Sequence, residues 1–405
     1  MSGKASAWCH GAAGIVIIAG LLTALAPTAR AQTISPELET RLSPAQQRAY
    51  VLHLRARAQF DAQLDAYWDE VEEKRAERRR RRAAGQPFTA ANYVMVQPPK
   101  YSGPGIPPDV AKIIAELKRP EEPEAEPRAG LADFLAHARV HYGFVPTLTS
   151  EREFKRRYAE EALAAGLSKM QVVRVYALET GGRGTYDMQA GIDPDTKQGK
   201  PISSALGYAQ LLCGNSINEL VKHGPSFIAR LNAMAARPGT DPRRAAALRA
   251  KAAVVGKMLR VARSVPNDWG RQVKLGSTPR GMGIHALNLD ADVGPWLQVI
   301  KLKGLLETAA AAGRPQLSGA ELELMNLAGP RTGLDMMEPV ARDVPTANFF
   351  SRTGYYRNTI VRERTSAELL AALDERMEAN LKKQGSLDFI GIFDEVARER
   401  RAAAR

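Results

Sequence analysis

Apolar side chains recur three and four positions apart along most of this 405-residue chain, which is the spacing of a helix face. The first such segment covers residues 43–84. Ser43 is a suitable N-cap, Pro44 suits the first helical position, and Gly85 suits the residue after the last turn. The spacing therefore predicts one long helix over residues 43–84. Its apolar stripe consists of Tyr50, Leu54, Phe60, Leu64, Tyr67 and Val71.

The same period returns after residue 128 and continues to about residue 398. No segment there alternates convincingly as a strand would, although residues 186–202 leave a short hairpin or an irregular loop open. The pattern predicts an all-α fold with its main domain at residues 128–400. The predicted helices cover residues 150–165, 168–179, 216–234, 242–265, 295–312, 318–328 and 366–383.

Residues 86–127, between these two helical parts, are rich in proline and glutamate. Pro98-Pro99, Pro107-Pro108 and the acidic run at 120–127 favour an extended chain that packs poorly. One short helix is predicted within them, at residues 109–118. The predicted order is therefore a long N-terminal helix within residues 32–85, a Pro-rich linker, and the main domain.

The first 31 residues have the pattern of an export signal. Lys4 provides a positive start, residues 11–27 form a mostly apolar run, and Ala29-Arg30-Ala31 has the form of a cleavage site. The sequence therefore predicts a signal peptide at residues 1–31 and an exported, periplasmic protein of the cell envelope. The apolar run is marginal in length for a membrane span, so an uncleaved anchor stays open.

The two cysteines agree with an exported protein that is stabilised by a packed core. Cys9 lies in the predicted signal, which leaves Cys213 as the one cysteine of the mature chain. A single thiol cannot form an intramolecular disulfide. The sequence therefore predicts that packing of the helices carries the stability.

The formal charge is +13, and it falls to +11 without residues 1–31, which hold Lys4 and Arg30. An exported protein meets anionic lipid and cell-wall polymers before nucleic acid, so no nucleic-acid partner is predicted. Arg78 to Arg82 end the long helix. Either this run is a solvated helix end that the dipole favours, or residues 43–84 contact a membrane surface or another protein.

One carboxylate stands where a buried helix should stop. Ser168 and Gln171 have the spacing of a capping box, and Gly181-Gly182 supplies the C-terminal stop. The helix between them is apolar nearly all round, so it should be buried. Burial and the negative end of the helix dipole both disfavour an ionised Glu179 and should raise its pKa, as a general acid requires. An ordinary exposed glutamate just past the helix end is the alternative.

Other segments supply groups that suit a sugar ligand. Gly207 allows a close backbone approach, and Gln210 can both donate to and accept from an acetamido group. Upstream, Tyr186 offers an aromatic face and Gln189 a second amide. Downstream, Asn326 is a polar residue near a predicted helix end.

Together these segments resemble the soluble lytic transglycosylases, enzymes with a lysozyme-like helical fold that cleave peptidoglycan. Glu179-Thr180 is similar to the Glu-Ser or Glu-Thr pair that closes a buried helix in that family. Gly207-Tyr208-Ala209-Gln210 is similar to its Gly-Leu-Met-Gln segment, with Tyr-Ala in place of Leu-Met. Residues 326–330 are similar to its Tyr-Asn-Ala-Gly-Pro segment, with Asn326 at the tyrosine position and Leu327 at the asparagine position. The resemblance covers about residues 131–345.

The resemblance implies a lysozyme-like domain that cuts the MurNAc-GlcNAc β-1,4 bond of peptidoglycan glycan strands, with no cofactor. Glu179 would be the only catalytic carboxylate. It would protonate the leaving oxygen and then deprotonate the muramic 6-hydroxyl, while the N-acetyl group of the substrate acts as nucleophile and a 1,6-anhydro product forms. Gln210 would orient the acetamido group, and the rings of Tyr186 and Tyr208 would either stack on sugars or pack in the core. The predicted substrate contacts are Thr180, Tyr186, Gln189, Gly207, Tyr208, Gln210 and Asn326.

Two other functions stay open. A hydrolytic muramidase needs a second carboxylate, and Asp187, Asp193 and Asp195 are nearest in sequence, although loop aspartates more commonly form turns. A non-catalytic scaffold would bind peptidoglycan without cleaving it. His137 and His141 have the i, i+4 spacing of metal ligands, but the residues between them lack the glutamate of a zinc protease, so no metal is predicted.

Overall fold

The computed structural model describes residues 34–117 and 128–405. The predicted signal peptide with Cys9, and the acidic run of the predicted linker, lie outside the described residues. Within them the regular elements are helices and no strand forms, so the prediction of an all-α fold is confirmed. Residues 186–202 form an irregular loop with isolated bridges, such as the antiparallel one between Ile192 and Gly199.

The N-terminal helices are α1 (Pro36–Glu39), α2 (Pro44–Ala83) and α3 (Pro108–Leu117). They are followed by α4 (Leu131–Tyr142), α5 (Glu151–Ala164), α6 (Lys169–Thr180), α7 (Cys213–Ala236), α8 (Pro242–Ala262), α9 (Trp269–Gly276), α10 (Pro279–His285), α11 (Gly294–Ala311), α12 (Gly319–Ala328), α13 (Pro330–Met336), α14 (Arg352–Arg357), α15 (Ser366–Leu381) and α16 (Gln384–Ala403). Short 3-10 turns lie at Ala90–Asn92, Ala286–Leu289, Pro339–Ala341 and Thr346–Asn348. In the described part of the chain, no helix combines the length and the apolar character needed to cross a membrane.

Start signals in the sequence placed α2 and α6 correctly, whereas α9 and α10 have caps at Asp268 and Thr278 and were not predicted. Helix α2 runs over Pro44–Ala83, close to the predicted 43–84. The capping box of α6 forms as predicted, because the Ser168 hydroxyl accepts from the backbone N–H of Gln171. Helix α16 was not predicted. Its N-cap residue, Lys383, makes no side-chain capping bond, so the usual sequence signal is missing there.

The chain divides into two compact units, and α2 contributes residues to both. Among the described residues, the first unit consists of 34–65 and 100–117, and the second consists of 66–99 and 128–405. The second unit contains the large helical part in which the sequence places all candidate catalytic groups.

The first unit has a small apolar core. Leu38 and Leu42 pack there with Val110 of α3. The ring of Tyr101 meets Phe60 of α2 edge-on, with ring centroids 5.3 Å apart. Part of the predicted linker, including Tyr101 and Val110, therefore packs within this unit.

Another part of the predicted linker packs in the second unit, contrary to the expectation of a poorly packed chain. Tyr93 is 3% exposed and Val94 is 4% exposed. The Asn348 side chain bonds both backbone groups of Val94, accepting from its N–H at 2.8 Å and donating to its carbonyl at 2.7 Å. These bonds satisfy buried backbone groups that a proline-rich segment cannot pair in a helix or sheet.

The arginine run at the end of α2 is not a uniform solvated helix end. Arg78 is buried and donates to the carbonyls of Asn92 at 2.7 Å and Asn348 at 2.6 Å. Its guanidinium lies 4.5 Å from the ring centroid of Tyr93, and burial lowers its pKa to about 10. Arg82 forms an ion pair with Asp335. The side chains of Arg79 and Arg80 are exposed, so a basic surface contact could draw on only part of the run.

Two clusters of buried side chains form the core of the second unit. One includes Leu220 of α7 and Val255 of α8. The other includes Tyr176 of α6, Phe389 of α16 and apolar residues of α5, α11 and α12. The second cluster packs around the helix that carries Glu179 and therefore fixes its position.

We expect Arg78→Ala to lower the free energy of unfolding by about 2–4 kcal/mol, because two buried carbonyls lose their donor and two rings lose a packed cation. Chemical denaturation of the full chain measures this change. Arg80→Ala, on the exposed side of the same helix, is the matched control and should change stability by no more than about 0.5 kcal/mol. Equal effects of the two substitutions would contradict an anchoring role of Arg78.

Candidate active site

Glu179 lies in the last turn of α6, whose other turns are buried among apolar residues. The helix stops at Gly181, with φ +64°, and Gly182 follows with φ +71°. Both positions are left-handed and favour glycine. A Cβ added to Gly182 would lie 2.3 Å from the carbonyl oxygen of Asn380 in α15. Gly182 therefore lets α15 close against the end of α6, where Asn380 donates to the carbonyl of Ala177 at 2.9 Å.

Helix α12 brings a second carboxyl group to Glu179. Glu323 and Asn326 stand three residues apart, on one face of α12. The Asn326 amide nitrogen lies 3.0 Å from Oε1 of Glu179 and 3.2 Å from each carboxyl oxygen of Glu323. The two carboxyl groups are also hydrogen-bonded to each other. Glu323 is 2% exposed, whereas Glu179 is only half-buried and so is the member that a ligand can reach.

This environment raises the pKa of both carboxyl groups. Burial is the main cause for Glu179, and the cation of Lys301 on α11 opposes it. Burial also raises the pKa of Glu323 well above its usual value, and the neighbouring charge of Glu179 raises it further. Two ionised carboxylates at hydrogen-bonding distance repel, so the pair releases its protons in two separate steps. Burial and the charge of Glu179 therefore favour the protonated form of Glu323, which can donate a hydrogen bond to Glu179.

Helix α11 connects these carboxyl groups with the loop that carries Gln210. Lys301 faces Glu179 and Glu323, and burial lowers its pKa while both carboxylates oppose that effect. One turn earlier, the Gln298 carbonyl accepts from the backbone N–H of Ala209 at 3.1 Å. A single helix therefore supplies both a cation for the acid pair and a support for the predicted substrate loop.

Gly207 and Gln210 occupy a tight turn, but not in the way the sequence suggested. Gly207 has φ +78°, and a Cβ there would lie 2.5 Å from the amide nitrogen of Gln298. The close approach at Gly207 is thus made by Gln298, which corrects the prediction of a ligand at this glycine. Gln210 is half-buried with φ +42°, and its amide nitrogen donates to the carbonyls of Gly207 at 2.8 Å and Met188 at 3.2 Å.

The two predicted tyrosines differ in their surroundings. Tyr208 is 1% exposed, and its ring meets that of Tyr176 edge-on with centroids 5.1 Å apart. Its hydroxyl donates to Glu151. Tyr208 is therefore a core residue, and stacking on a sugar is excluded for it. Tyr186 is half-buried and stacks on Phe154 with centroids 4.6 Å apart, so one face of its ring is used by the protein.

Two further predicted contacts are also occupied inside the protein. Thr180 is 3% exposed, and its hydroxyl donates to the carbonyl of Tyr176 one turn earlier. Gln189 is 2% exposed and donates to the carbonyls of Ala129 and Ser203. Both side chains hold the fold together, and neither is exposed for direct contact with substrate. Of the predicted contacts, Asn326 is the one that touches Glu179.

The loop aspartates are engaged away from Glu179. Asp193 accepts from the backbone N–H groups of Asp195 and Thr196, which is the bonding of an Asx turn. Asp195 pairs with Arg183 at 3.0 Å. Asp187 pairs with Lys197 at 3.3 Å. These contacts give the aspartates a role in shaping the loop.

The predicted metal spacing on α4 has no support from other elements. The rings of His137 and His141 lie together, with centroids 5.9 Å apart. In the described ranges, no group of three His, Cys, Asp or Glu side chains is arranged to hold a metal ion. The thiol of Cys213 is buried, which raises its pKa to about 11 and makes it a poor nucleophile.

Glu323 is the functional candidate that sequence reasoning missed. Its neighbours Leu322, Leu324 and Met325 are buried, so the glutamate interrupts an otherwise apolar face. A carboxylate among three apolar residues, three positions before an asparagine, was the available signal. Glu323 and Asn326 of α12 meet Glu179 of α6, and Asn326 is 147 residues from Glu179 in sequence. No local sequence pattern reveals a contact between residues so far apart.

Comparison with protein-family models, curated proteins and solved structures gives no match to this chain.

Alanine substitutions at the two glycines after α6 should show how much stability is lost to backbone strain alone and how much is lost to a steric clash with α15. We expect Gly181→Ala to destabilise the fold by about 1 kcal/mol, because only the left-handed conformation opposes it. Gly182→Ala should destabilise it by at least about 2 kcal/mol more, because the new Cβ also meets Asn380. Chemical denaturation measures both values, and equal losses would contradict close packing of α15 at this site.

The raised pKa of Glu323 predicts how stability depends on pH. Above the usual carboxyl pKa of 4.5, the unfolded chain releases this proton and the folded chain keeps it. Stability should therefore fall as pH rises, by up to about 1.4 kcal/mol per pH unit, until the folded carboxyl ionises. Glu323→Gln keeps the N–H donor to Glu179 and removes the titration. Its unfolding free energy should depend less on pH than that of the parent between about pH 5 and 8.

The control is Glu375→Gln, which changes an exposed glutamate of α15. It should leave the slope of stability against pH unchanged. The same slope in the parent and in Glu323→Gln would show that Glu323 does not hold its proton in the folded state.

Proposed function

We propose that this protein is a peptidoglycan lytic transglycosylase, with Glu179 as the acid and base of a lysozyme-like helical domain. The observation that carries the proposal is the environment of the Glu179 carboxyl group. It stands at the end of a buried helix, partly open to ligand, with a raised pKa and hydrogen bonds to Asn326 and Glu323. A carboxyl group with a raised pKa holds its proton to higher pH and can protonate a leaving glycosidic oxygen.

The first step requires a proton donor and a nucleophile. Glu179 protonates the oxygen of the bond between MurNAc and GlcNAc, and the bond from that oxygen to C1 breaks. The acetamido oxygen of MurNAc forms a new bond to C1, which gives an oxazolinium ring. Glu323 keeps its proton and stabilises the new carboxylate of Glu179 by a hydrogen bond, while the nearby cation of Lys301 favours the same state.

The second step returns the proton. The Glu179 carboxylate removes the proton of the MurNAc 6-hydroxyl, and that oxygen attacks C1. The oxazolinium opens to restore the acetamido group, and a 1,6-anhydro sugar is released. Over the cycle the carboxyl pair alternates between two protons and one, so it never carries two negative charges.

The position of Glu323 argues against an ordinary hydrolase. Retaining glycosidases separate their two carboxyl groups by about 5 Å and inverting enzymes by about 6.5–9.5 Å, with the sugar between them. Glu179 and Glu323 are hydrogen-bonded, so no sugar ring fits between them. Glu323 is therefore a positioning residue for Glu179, and a nucleophile from the substrate itself fits this arrangement better.

The substrate side of the proposal is supported by fewer groups. Because the amide nitrogen of Gln210 is bound within the protein, its oxygen is the atom that would accept from an acetamido N–H. The exposed Arg376 on α15 contributes a positive potential at Glu179 and suits the lactyl carboxylate of muramic acid. A periplasmic location fits this substrate, and residues 1–31 supply the signal pattern for it.

Two isosteric substitutions test the separate roles of the carboxyl pair. Glu179→Gln should lower the rate of glycan-strand cleavage by about 10²–10⁴-fold, because the proton donor is lost. Glu323→Gln is the matched variant and should retain activity within about tenfold, because its amide still donates to Glu179. Release of soluble fragments from purified sacculi measures both rates. Retained cleavage by Glu179→Gln would refute the assignment, and equal losses in the two variants would mean that both carboxyl groups act on the substrate.

A further inference from the structure

A second cleft in the helical unit shares no residue with the carboxyl pair. It has a volume of about 730 Å³ and lies between α5, α7, the start of α8 and the start of α11. Its walls carry guanidinium groups and carboxylates in equal number, together with a tryptophan.

One end of the cleft carries two arginines, each of which pairs with a carboxylate of the protein. The side chain of Asp292 is fully buried, and Arg157 and Arg244 both donate to its Oδ1 atom. Lys251 bonds the other oxygen and also Asp290, and Arg157 also pairs with Glu153, so three cations meet three carboxylates here. Both arginine side chains remain 34% exposed. Each guanidinium has five N–H donors, and the bonds within the protein use only some of them. Further donors are therefore available to an anion in the cleft.

Two of the lining carboxylates, Glu160 and Glu161, lie about one turn further along α5. Glu161 is occupied by a two-point ion pair with Arg230, whose guanidinium covers Trp296 at 4.0 Å. Glu160 is less engaged: its side chain is 50% exposed, and its ion-pair partner is Arg156 at 3.3 Å on the same helix. Burial raises the pKa of Glu160, so an incoming cation would favour its ionised form.

The separation between Arg157 and Glu160 sets the length of ligand that can contact both. Arg157 and Glu160 are three residues apart on one helix, which is about 4.5 Å along its axis. A dipeptide spans about 7 Å when extended, so its terminal ammonium and carboxylate match this separation once side-chain reach is included. We propose that the cleft binds a zwitterionic ligand of dipeptide size, with its carboxylate held by Arg157 and Arg244 and its ammonium by Glu160.

Calorimetric titration of the full chain with the dipeptide Ala-Ala tests this site. Free Ala-Ala should bind at least about tenfold more tightly than its N-acetylated or C-amidated form, because each cap removes one charge-assisted contact. Arg244→Gln and Glu160→Gln should each weaken binding of free Ala-Ala by about tenfold or more. Arg243→Gln is the control. That arginine is exposed, next to Arg244 in sequence, and outside the cleft, so binding should be unchanged.

Thermal denaturation of each variant establishes that it is folded. If Arg244→Gln is unfolded, Glu160→Gln carries the test, because its side chain is half exposed. Equal affinity for free and capped dipeptides, or no measurable binding of Ala-Ala at millimolar concentration, would overturn the proposal. Inorganic phosphate binding as tightly as Ala-Ala would also overturn it, since that result needs only the arginines. None of these results depends on glycan cleavage, so the proposed enzymatic activity and this site can fail separately.

Discussion

Two carboxyl groups that meet in a water-poor interior cannot both be ionised without strong repulsion. Glu179 and Glu323 meet in this way, and side chains on the neighbouring helices bond the pair and offset its charge. Helix α12 supplies Glu323 and Asn326, which bond the acid, and α11 supplies Lys301, which offsets the charge. Burial and the charge of Glu179 favour the protonated form of Glu323, and the half-buried Glu179 is the carboxyl group that a ligand can reach.

The packing of α6 gives this pair its geometry. Aromatic and aliphatic side chains pack against the helix, and Gly182 after it lets α15 approach the last turn. Gln298 holds the Gly207 turn from the same helix that carries Lys301. Several residues that the sequence assigned to the substrate are therefore supports. Tyr208 fills the core against Tyr176 of the same helix, and Thr180 bonds the helix backbone.

Local signals in the sequence predicted local structure well. The cap at Ser168 and the glycine stop gave the bounds of α6 and the position of Glu179, because both depend on neighbouring residues. Glu323 escaped prediction because its significance depends on a contact between distant helices. The burial of Arg78 escaped it for the same reason, since Asn348 lies 270 residues away. A core aromatic and a sugar-stacking aromatic also look alike in sequence. Only the burial of Tyr208 in the structure shows that it belongs to the core and does not stack on a sugar.

The central claim is that Glu179 acts as a lone acid and base, with the nucleophile supplied by the sugar. Mass spectrometry of the fragments that the purified protein releases from peptidoglycan tests this most directly. Fragments ending in 1,6-anhydro-MurNAc are the predicted result. Fragments with ordinary reducing ends would show that water attacks C1, and release of no fragment would show that the protein does not cleave glycan. Either of these two results would contradict the account.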